Sequence, residues 1–315
     1  MRMITLSEAA TLLLENDNYH ILTHRYPDGD TLGCGFALCY ALRTLGKNAN
    51  VIVCGNVPSK FSYLAENYCD QDFTCDYVVS VDVAAPSLLG ELEEEYKDKI
   101  DLCIDHHGSN CMVADNILVD ATCAAASEII YVLIKHMGVE ITTDIANAIY
   151  TGISTDTGCF CYTNTTAQSH HIAAELIDLG CDIAKINRIN FETKTRAKLK
   201  MERMVYETME FYCDGKLAVI YTTIAMQQAI DAGDDEMEGL ASIPRQVEGV
   251  KMGITMREKA DGTFKISVRT NDGINASDFC ARFGGGGHPA ASGCSIEGDL
   301  ETVRNMLISA AQEIL

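Results

Sequence analysis

The amino-acid sequence predicts an α/β protein of two domains: a mainly parallel sheet with helices on both faces, then a smaller α+β domain. Short β-branched runs alternate with stretches of helical apolar spacing up to residue 190, the pattern of a parallel sheet with crossover helices. Beyond residue 210 the predicted strands have fewer helices between them. A chain of 315 residues can build two hydrophobic cores. We therefore predict a first domain at 1–190, a helical linker at 191–210 and a second domain at 211–315.

The elements of the first domain follow from the spacing of their apolar residues. Strands are predicted at Tyr19–Thr23, Asn50–Cys54, Tyr77–Val81 and Ile100–Ile104. Helices are predicted at Thr31–Leu45, Phe61–Ala65, Ala124–Met137, Thr143–Ser154, Thr165–Leu179 and Asp182–Asn190. The charged, helix-prone stretch Thr193–Met209 is the predicted linker. Because strands alternate with helices, the carboxyl ends of the strands should share one edge of the sheet.

The second domain has a different order of elements. Its predicted strands are Lys216–Tyr221, Val250–Met256 and Phe264–Arg269. Its predicted helices are Ala225–Ala232, Asn275–Phe283 and Leu300–Ile314. The acidic stretch Asp231–Glu238 is predicted to be a solvated loop.

Composition and charge exclude several classes of function. The net charge of −21 disfavours broad binding to long nucleic acids, which requires a basic surface. It is compatible with a small anionic substrate, because divalent cations and local basic side chains can reverse the field in a cleft. No apolar run approaches the ~20 residues that span a bilayer, and the amphipathic start lacks the features of a signal peptide. The 14 cysteines include no C-x-x-C pair, so we expect reduced thiols in a cytoplasmic protein without membrane contact.

The loop after the first predicted strand carries His24, Asp28 and Asp30. In open α/β sheets, ligands gather where strands end and helices begin. Pro27 stiffens the loop, and Gly29 permits a sharp turn between the two aspartates. Two carboxylates this close repel each other unless a divalent cation separates them, but Asp30 could instead cap the following helix. This stretch alone leaves a metal site and a helix cap as open alternatives.

Acidic and imidazole side chains recur at later strand and helix ends. The complete set is His24, Asp28, Asp30, Asp82, His106 and Asp156. Each could be a separate cap or turn residue, but chance does not readily place all of them at element ends. Oxygen-rich ligation with some imidazole suits manganese or magnesium better than zinc. Two divalent ions would balance the four carboxylates, and a pair ~3.5–4 Å apart can clamp a phosphoryl group. The sequence therefore predicts a dinuclear site.

The motifs at these positions resemble those of the DHH phosphoesterase family. They read HRYPDGDTLG at 24–33, VDVA around Asp82, DHH at 105–107 and TDTG around Asp156. The segment INASDFCARFGGGGHPAASG resembles the glycine-rich motif of that family's DHH-associated C-terminal domain. The resemblance extends nearly end to end, and length and motif wording are closest to the nanoRNase/pAp-phosphatase branch. Cys34 departs from the serine that is common there, and we expect only a change in packing.

The resemblance also implies a role for each residue. One metal ion would be held by His24 and Asp28, and the other by Asp30, His106 and Asp156. Asp82 would bridge the two ions. Asp105 would orient a histidine ligand, and His107 would contact the substrate phosphate. The expected catalytic residues are accordingly Asp82, Asp105 and His107.

The glycine-rich segment of the second domain suggests anion recognition. Consecutive glycines allow backbone N–H groups to approach an anion, and the guanidinium of an arginine matches a phosphate. A flexible loop at a sheet edge is the alternative interpretation. The expected substrate-binding residues are His107, Arg269, Gly284, Gly285, Gly286, Gly287 and His288.

The resulting functional hypothesis is a phosphoesterase with two divalent metal ions, with manganese favoured and magnesium as the alternative. Following the resemblance, it would hydrolyse short oligoribonucleotides to mononucleotides and dephosphorylate 3′-phosphoadenosine 5′-phosphate (pAp) to AMP. A cleft between the domains would favour short RNA or nucleotides over long duplexes. The alternatives are a phosphodiesterase of linear or cyclic dinucleotides (pApA, pGpG, c-di-AMP) and a nucleotide sensor without catalysis. The oligomeric state is left open, with a homodimer as one candidate.

Overall fold

The computed structural model describes residues 1–230, 233–237, 239–271 and 273–315. The chain divides into two compact units, Met1–Thr193 and Lys194–Leu315. Among the described residues, every helix is too short or too polar to cross a bilayer.

The first unit is built on a six-stranded sheet in the order β1-β6-β5-β4-β2-β3, with every neighbouring pair parallel. The strands are β1 Arg2–Met3, β2 Tyr19–Leu22, β3 Ala49–Ile52, β4 Tyr77–Val81, β5 Leu102–Asp105 and β6 Asn116–Val119. This confirms the predicted parallel sheet. Sequence reasoning missed β1 and β6, which are short and lack a long apolar run.

The helices of the first unit are α1 Leu6–Glu15, α2 Gly29–Thr44, α3 Glu93–Tyr96, α4 Ala126–His136, α5 Thr143–Asp156, α6 Ala167–Asp178 and α7 Ile183–Asn187. Three further single turns or short segments are helical at Ser59–Ala65, Pro86–Leu92 and Arg188–Glu192. Alternate strand residues face opposite sides of the sheet, so each face has its own core. Val79 packs in the core that contains α1, α2, α4 and α5, whereas Val78 packs in a core with Leu89 and Tyr96. Helical segments thus cover both faces, as a buried parallel sheet requires.

Helices α2 and α5 meet at a close contact between two glycines. A Cβ atom built on Gly33 would lie 2.4 Å from the carbonyl oxygen of Ala148 and 3.3 Å from Cα of Gly152. Only glycine permits this approach. Because Asp30 lies in the first turn of α2 and Asp156 ends α5, the contact sets the separation of two candidate site residues.

The second unit contains a mixed sheet in the order β11-β12-β10-β9-β8-β7, in which only β8 and β9 are parallel among the described pairs. Its strands are β7 Glu210–Tyr212, β8 Leu217–Thr222, β9 Met252–Glu258, β10 Thr263–Thr270, β11 Gly286–His288 and β12 Ala291–Glu297. Its helices are α8 Arg196–Glu207, α9 Ile224–Ala229, α10 Asp234–Met237, α11 Ala276–Ala281 and α12 Leu300–Gln312. Single helical turns lie at Leu240–Ser242 and Pro244–Gln246. The second sheet agrees with the predicted α+β character, although β7, β11 and β12 were missed.

Two stretches of this unit differ from the prediction, and one of them includes residues that the structure does not describe. Helix α8, expected to join the domains, buries Met201 and Val205 against Ile220 in a small core of the second unit. In the acidic stretch 231–238, which the sequence suggests is a loop, 234–237 form α10. Residues 231, 232 and 238 lie outside the described residues, so the predicted end of a helix at Ala232 has no counterpart to compare.

Candidate active site

The loop between β2 and α2 places three of the predicted site residues. Asp28 is the N-cap of α2, and its Oδ1 accepts hydrogen bonds from the N–H groups of Asp30 and Thr31. The cap is therefore Asp28, whereas the sequence suggested Asp30 for that role. Gly29 starts the helix against Thr155, whose Oγ1 would lie 2.3 Å from an added Cβ. Capping leaves Asp28 Oδ1 facing His24, whose Nε2 is 3.5 Å away.

Asp82 follows β4 in a strained conformation. Its φ of 55° lies in the left-handed region, which non-glycine residues rarely occupy without compensation from their surroundings. The side chain is 4% exposed, and its Oδ1 has no hydrogen-bond partner among the described residues. A buried, unpaired carboxylate oxygen is costly, so its position calls for a cation.

The two oxygens of Asp82 face different histidines. Oδ2 lies 3.8 Å from Nε2 of His24, whereas Oδ1 lies 3.6 Å from Nε2 of His106 and 3.5 Å from Nδ1 of His107. Asp82 is thus shared by one group with His24 and Asp28 and a second group with His106 and His107, each with ligand atoms within 4.8 Å of one another. The carboxylate occupies the place from which it could bridge two ions.

A third group joins Asp30, His106 and Asp156, again within 4.8 Å. Nε2 of His106 lies 3.5 Å from Oδ2 of Asp156 and 3.9 Å from Oδ2 of Asp30. The Nδ1 atom of His106 lies 3.2 Å from the carbonyl oxygen of Cys123, so Nδ1 is the donor of this hydrogen bond. In the neutral ring, Nε2 then directs its lone pair at carboxylate oxygens, an arrangement that a bound cation would relieve.

Asp30 is held by the start of α4 as well as by its own helix. Its Oδ2 accepts a hydrogen bond of 2.6 Å from the N–H of Ala126, and its Oδ1 accepts one of 2.9 Å from the N–H of Ser127. The Cys34 thiol donates to the same Oδ1 at 3.6 Å. Cys34 therefore contacts a candidate ligand directly, a contact that the predicted change in packing did not include.

The clustered carboxylates perturb one another. Burial, reinforced by Asp30 and Asp28, raises the pKa of Asp82 well above its ordinary value. Burial and the same two neighbours raise the pKa of Asp156 to about 9. Repulsion of this kind, together with the unpaired oxygen of Asp82, fits residues that hold divalent cations.

Asp105 and His107 form a hydrogen-bonded pair next to this cluster. Burial disfavours the charged form of Asp105, but hydrogen bonds from His107 and Asn110 outweigh it and lower the pKa of this carboxyl. The hydrogen bond to Asp105 is also the main reason that the pKa of His107 is raised. Asn110, which donates to Oδ2 of Asp105, was missed by sequence reasoning because nothing in its local pattern distinguishes it.

In the second unit, Arg269 and His288 lie in one row across three strands. Arg269 of β10 pairs with Ala291 of β12, and Ala291 pairs with His288 of β11. Directly paired residues project from the same face, so the two side chains flank a small alanine about 10 Å apart at their Cα atoms. The next row on the same face contains Ser267, Gly293 and Gly286, so its only side chain is that of Ser267.

The glycine run is an edge strand and a turn rather than a loop throughout. Gly286 and Gly287 belong to β11, at the edge of the sheet. Gly284 has a φ of 72°, and an added Cβ on Gly285 would lie 2.2 Å from the carbonyl oxygen of Gly293. The run is therefore required to turn from α11 and lay β11 against β12. The run thus lies at the edge of the sheet, but as a turn and a strand and not as the flexible loop of the alternative interpretation, and it leaves exposed backbone near His288.

A parallel α/β sheet that gathers aspartates and histidines at its carboxyl edge is the arrangement of a metal-dependent hydrolase. Comparison with protein families matches residues 18–153 to "DHH family, N-terminal domain" and residues 216–315 to "DHHA1 domain". The chain belongs to the DHH family of phosphoesterases.

Individual relatives agree with this family. The chain is 32% identical over 94% of its length, and 90% of the relative's, to a "Bifunctional oligoribonuclease and PAP phosphatase NrnA" from Thermus thermophilus. It is 27% identical over 87% of its length, and 89% of the relative's, to a probable enzyme of the same name from Streptococcus mutans. A crystal structure of an exopolyphosphatase-related protein from Bacteroides fragilis superposes with a TM-score of 0.89 and 26% identity, covering 98% of this chain and 97% of that one. These relatives confirm the predicted family and the class of enzyme.

Proposed function

We propose that this chain hydrolyses short oligoribonucleotides to mononucleotides and dephosphorylates pAp to AMP. The names of its relatives and their near-complete coverage support this substrate class. The observation that carries the proposal is the position of Asp82, whose two oxygens face His24 on one side and His106 on the other. A bridging carboxylate between two ligand groups is what a two-metal phosphoesterase requires.

The proposed ligands divide between two ions. His24 and Asp28 would hold one, and Asp30, His106 and Asp156 would hold the other, with Asp82 shared. Manganese is the proposed metal and magnesium the alternative, because the donor set is rich in carboxylate oxygen. When bound, such ions lower the pKa of a coordinated water and neutralise charge that develops on the phosphoryl group.

The remaining residues of the site orient and bind. Asp105 fixes the ring of His107 through Nδ1, which directs the opposite edge of the ring toward the substrate phosphate. The raised pKa of His107 favours its protonated form, in which it can donate a hydrogen bond to a phosphate oxygen. Asp82 would contribute to catalysis through its two carboxylate oxygens, which would bind the metal ions. The chain needs no Ser or Cys nucleophile for this chemistry.

We assign chemistry to the first domain, residues 1–190, and substrate binding to the second, residues 211–315, joined by 191–210. Arg269, His288 and the exposed backbone of Gly284–Gly287 would bind the anionic part of the substrate that is not being hydrolysed. The row formed by Arg269, Ala291 and His288 supports this role, because the alanine leaves space for a phosphate between the two cationic or polar groups.

Short substrates and a cytoplasmic location complete the proposal. The net charge of −21 disfavours retention of a long polyanion outside the site. Each of the 14 cysteines is a free thiol, as expected in a reducing compartment.

The test is a substrate panel of pAp, pApA, cyclic di-AMP and a 5′-labelled RNA ladder from 2 to 24 nucleotides, each with manganese, magnesium or EDTA. We expect metal-dependent release of phosphate from pAp and faster turnover of the shortest RNAs. A 24-mer consumed as fast as a dinucleotide would contradict the preference for short substrates. Cyclic di-AMP as the preferred substrate would favour the dinucleotide phosphodiesterase, and binding without turnover would favour a sensor.

A further inference from the structure

A pocket of about 520 Å³ in the first unit has His107 in its wall. Its other walls come from β1, β6 and the loop that follows His107. The volume lies within the range of sites that bind small organic ligands. His107 borders both the pocket and the candidate active site, since its Nδ1 lies 3.5 Å from Oδ1 of Asp82.

The pocket is mainly apolar. Ile117 and Val119 of β6 form one side, and Met3, Met112 and Val113 contribute sulfur and methyl groups. Met3 and Val113 are 66% and 48% exposed, so the apolar surface is open to solvent beside a highly charged cluster. Methionine sulfur makes favourable contacts with aromatic rings and adapts to rings of different shape. Such a surface is suited to a flat heteroaromatic group.

The side chains of Arg2 and Asn110 in the wall already have partners within the protein, and Arg2 pairs with Glu8. The amide of Asn110 donates to Oδ2 of Asp105, and its Oδ1 accepts a hydrogen bond from the N–H of Met112. Asn110 is therefore occupied at both ends by the protein. The pocket would contact the face of a ring more than it would read the ring's hydrogen-bonding edge.

From this geometry we propose that the pocket is a nucleobase subsite, which receives the base of the nucleoside bonded to the scissile phosphate. The inference rests on the proposed function, since His107 positions the phosphate and the pocket takes the ring attached to it. The occupant is a purine or pyrimidine, with little discrimination among the bases because the walls offer methyl and thioether groups.

Cys111 provides a direct probe, because this exposed thiol lines the pocket. The full-length protein is treated with iodoacetamide with manganese present, and alkylation of each cysteine is followed by peptide mass spectrometry. We expect AMP at about nine times its Kd to slow alkylation of Cys111 about tenfold by mass action. Ribose 5-phosphate lacks the base and would leave the pocket open. The rate of Cys111 alkylation should therefore change by less than about twofold when this compound is added.

The exposed thiols of Cys69 and Cys161 serve as internal controls, and their rates should not respond to AMP. Equal protection of Cys111 by AMP and ribose 5-phosphate would overturn the inference, because the phosphate alone would then explain it. Absence of protection by AMP would also overturn it.

Kinetics separates this inference from the proposed function. Cys111→Phe should fill the pocket and raise the KM for pApA, whereas the same substitution at the exposed Cys69, Cys69→Phe, should leave this KM unchanged. A second substrate is a dinucleotide in which hydrogen replaces the base that would occupy the pocket. For this substrate, Cys111→Phe and the wild-type protein should have the same KM. If the wild-type protein hydrolyses neither compound, the proposed function fails. If it hydrolyses both and Cys111→Phe changes neither KM, the nucleobase subsite alone is wrong.

Discussion

The Nδ1 atom of His107 lies 2.8 Å from Oδ1 of Asp105, and the backbone N–H of His106 donates to that same oxygen at 2.8 Å. One fully buried carboxylate therefore fixes both the histidine proposed to bind phosphate and the backbone of the histidine proposed to bind metal. The DHH triplet acts as a unit because its aspartate orients the two residues that follow it.

We predict that Asp105→Asn lowers kcat/KM for pAp by about 10–100-fold, the usual cost of removing a partner that orients a ligand. The amide keeps the size of the side chain, but its NH₂ group cannot accept a hydrogen bond. Asp101→Asn is the matched control, since Asp101 immediately precedes β5 and its carboxylate accepts a hydrogen bond from the N–H of Val78, away from the candidate site. Unchanged kcat/KM in Asp105→Asn would show that Asp105 has no orienting role.

We predict that Asp82→Asn abolishes metal-dependent turnover and at the same time stabilises the metal-free protein. The substitution removes a buried carboxyl group whose charged form is disfavoured by burial and by the neighbouring Asp30 and Asp28. Asparagine tolerates the left-handed φ of 55°, so the backbone is not strained further, as it would be with alanine. In EDTA, the melting temperature should rise by a few degrees, which corresponds to an increase of about 1–2 kcal/mol in the free energy of unfolding.

The same experiment with manganese provides the contrast. Wild-type protein should gain thermal stability when the metal is added, whereas Asp82→Asn should gain much less. Retained turnover in this variant would remove the bridging role of Asp82. A lower melting temperature in EDTA would show that the charge is already compensated in the metal-free state.

Metal-free protein should lose stability as the pH rises. The pKa of Asp156 is raised from 3.8 to about 9 in the folded state, and that of Asp82 is also raised. Folding therefore favours the protonated carboxyls, so stability is highest below pH 3.8 for this contribution and is lost between pH 3.8 and about 9. Melting temperatures in EDTA at pH 5, 7 and 9 would measure the slope.

Manganese should reverse that slope, because bound metal stabilises the deprotonated carboxylates. A metal-free protein whose stability rises between pH 5 and pH 9 would contradict the crowding of these side chains.

We predict that Gly33→Ala destabilises the first unit by about 1–3 kcal/mol, the usual cost of overpacking. The added methyl would lie 2.4 Å from the carbonyl oxygen of Ala148, so α2 and α5 must separate. Gly35→Ala is the control on the same helix, since its nearest neighbours are side-chain methyl groups at 3.2 and 3.3 Å. Equal melting temperatures for the two variants would show that the helix contact can relax without cost.

The first sheet could be predicted because its strands have strong local patterns. Tyr77–Val81 is a continuous apolar run with β-branched residues, and the strand has the predicted bounds. The two-residue β1 carries no such pattern, since its pairing with β6 depends on a partner more than a hundred residues away. Local propensity cannot report on that kind of contact.

The residues of the candidate site could be predicted where they lie at the ends of strands or helices. Asp82 and His106 each follow a strand, and parallel strands bring such ends together. The sequence left a metal site and capping by Asp30 as open alternatives, and the structure has Asp28 as the cap. Asp30 instead accepts hydrogen bonds from the N–H groups of Ala126 and Ser127 in a helix distant in sequence, which local pattern cannot show. Asn110 was missed for the same reason: its significance lies in a contact with Asp105 rather than in its own pattern.

The row formed by Arg269, Ala291 and His288 allows a test of substrate binding in the second unit. We predict that Ala291→Leu raises the KM for pAp about tenfold with little change in kcat. This result is expected when a substitution weakens binding of the substrate and of the transition state equally. The larger side chain would fill the space between Arg269 and His288. Circular dichroism and the melting temperature should match the wild-type protein, because Ala291 lies on the partly exposed face of β12.

Ser295→Leu is the matched control for this substitution. Ser295 lies on the same strand and the same face as Ala291, four residues along, and pairs with Lys265 instead of Arg269. It adds the same exposed apolar side chain away from the proposed anion site, so its KM should equal that of the wild-type protein. If both variants raise the KM equally, the effect belongs to the face as a whole. If neither does, phosphate is not bound between Arg269 and His288, and the role assigned to this row is wrong.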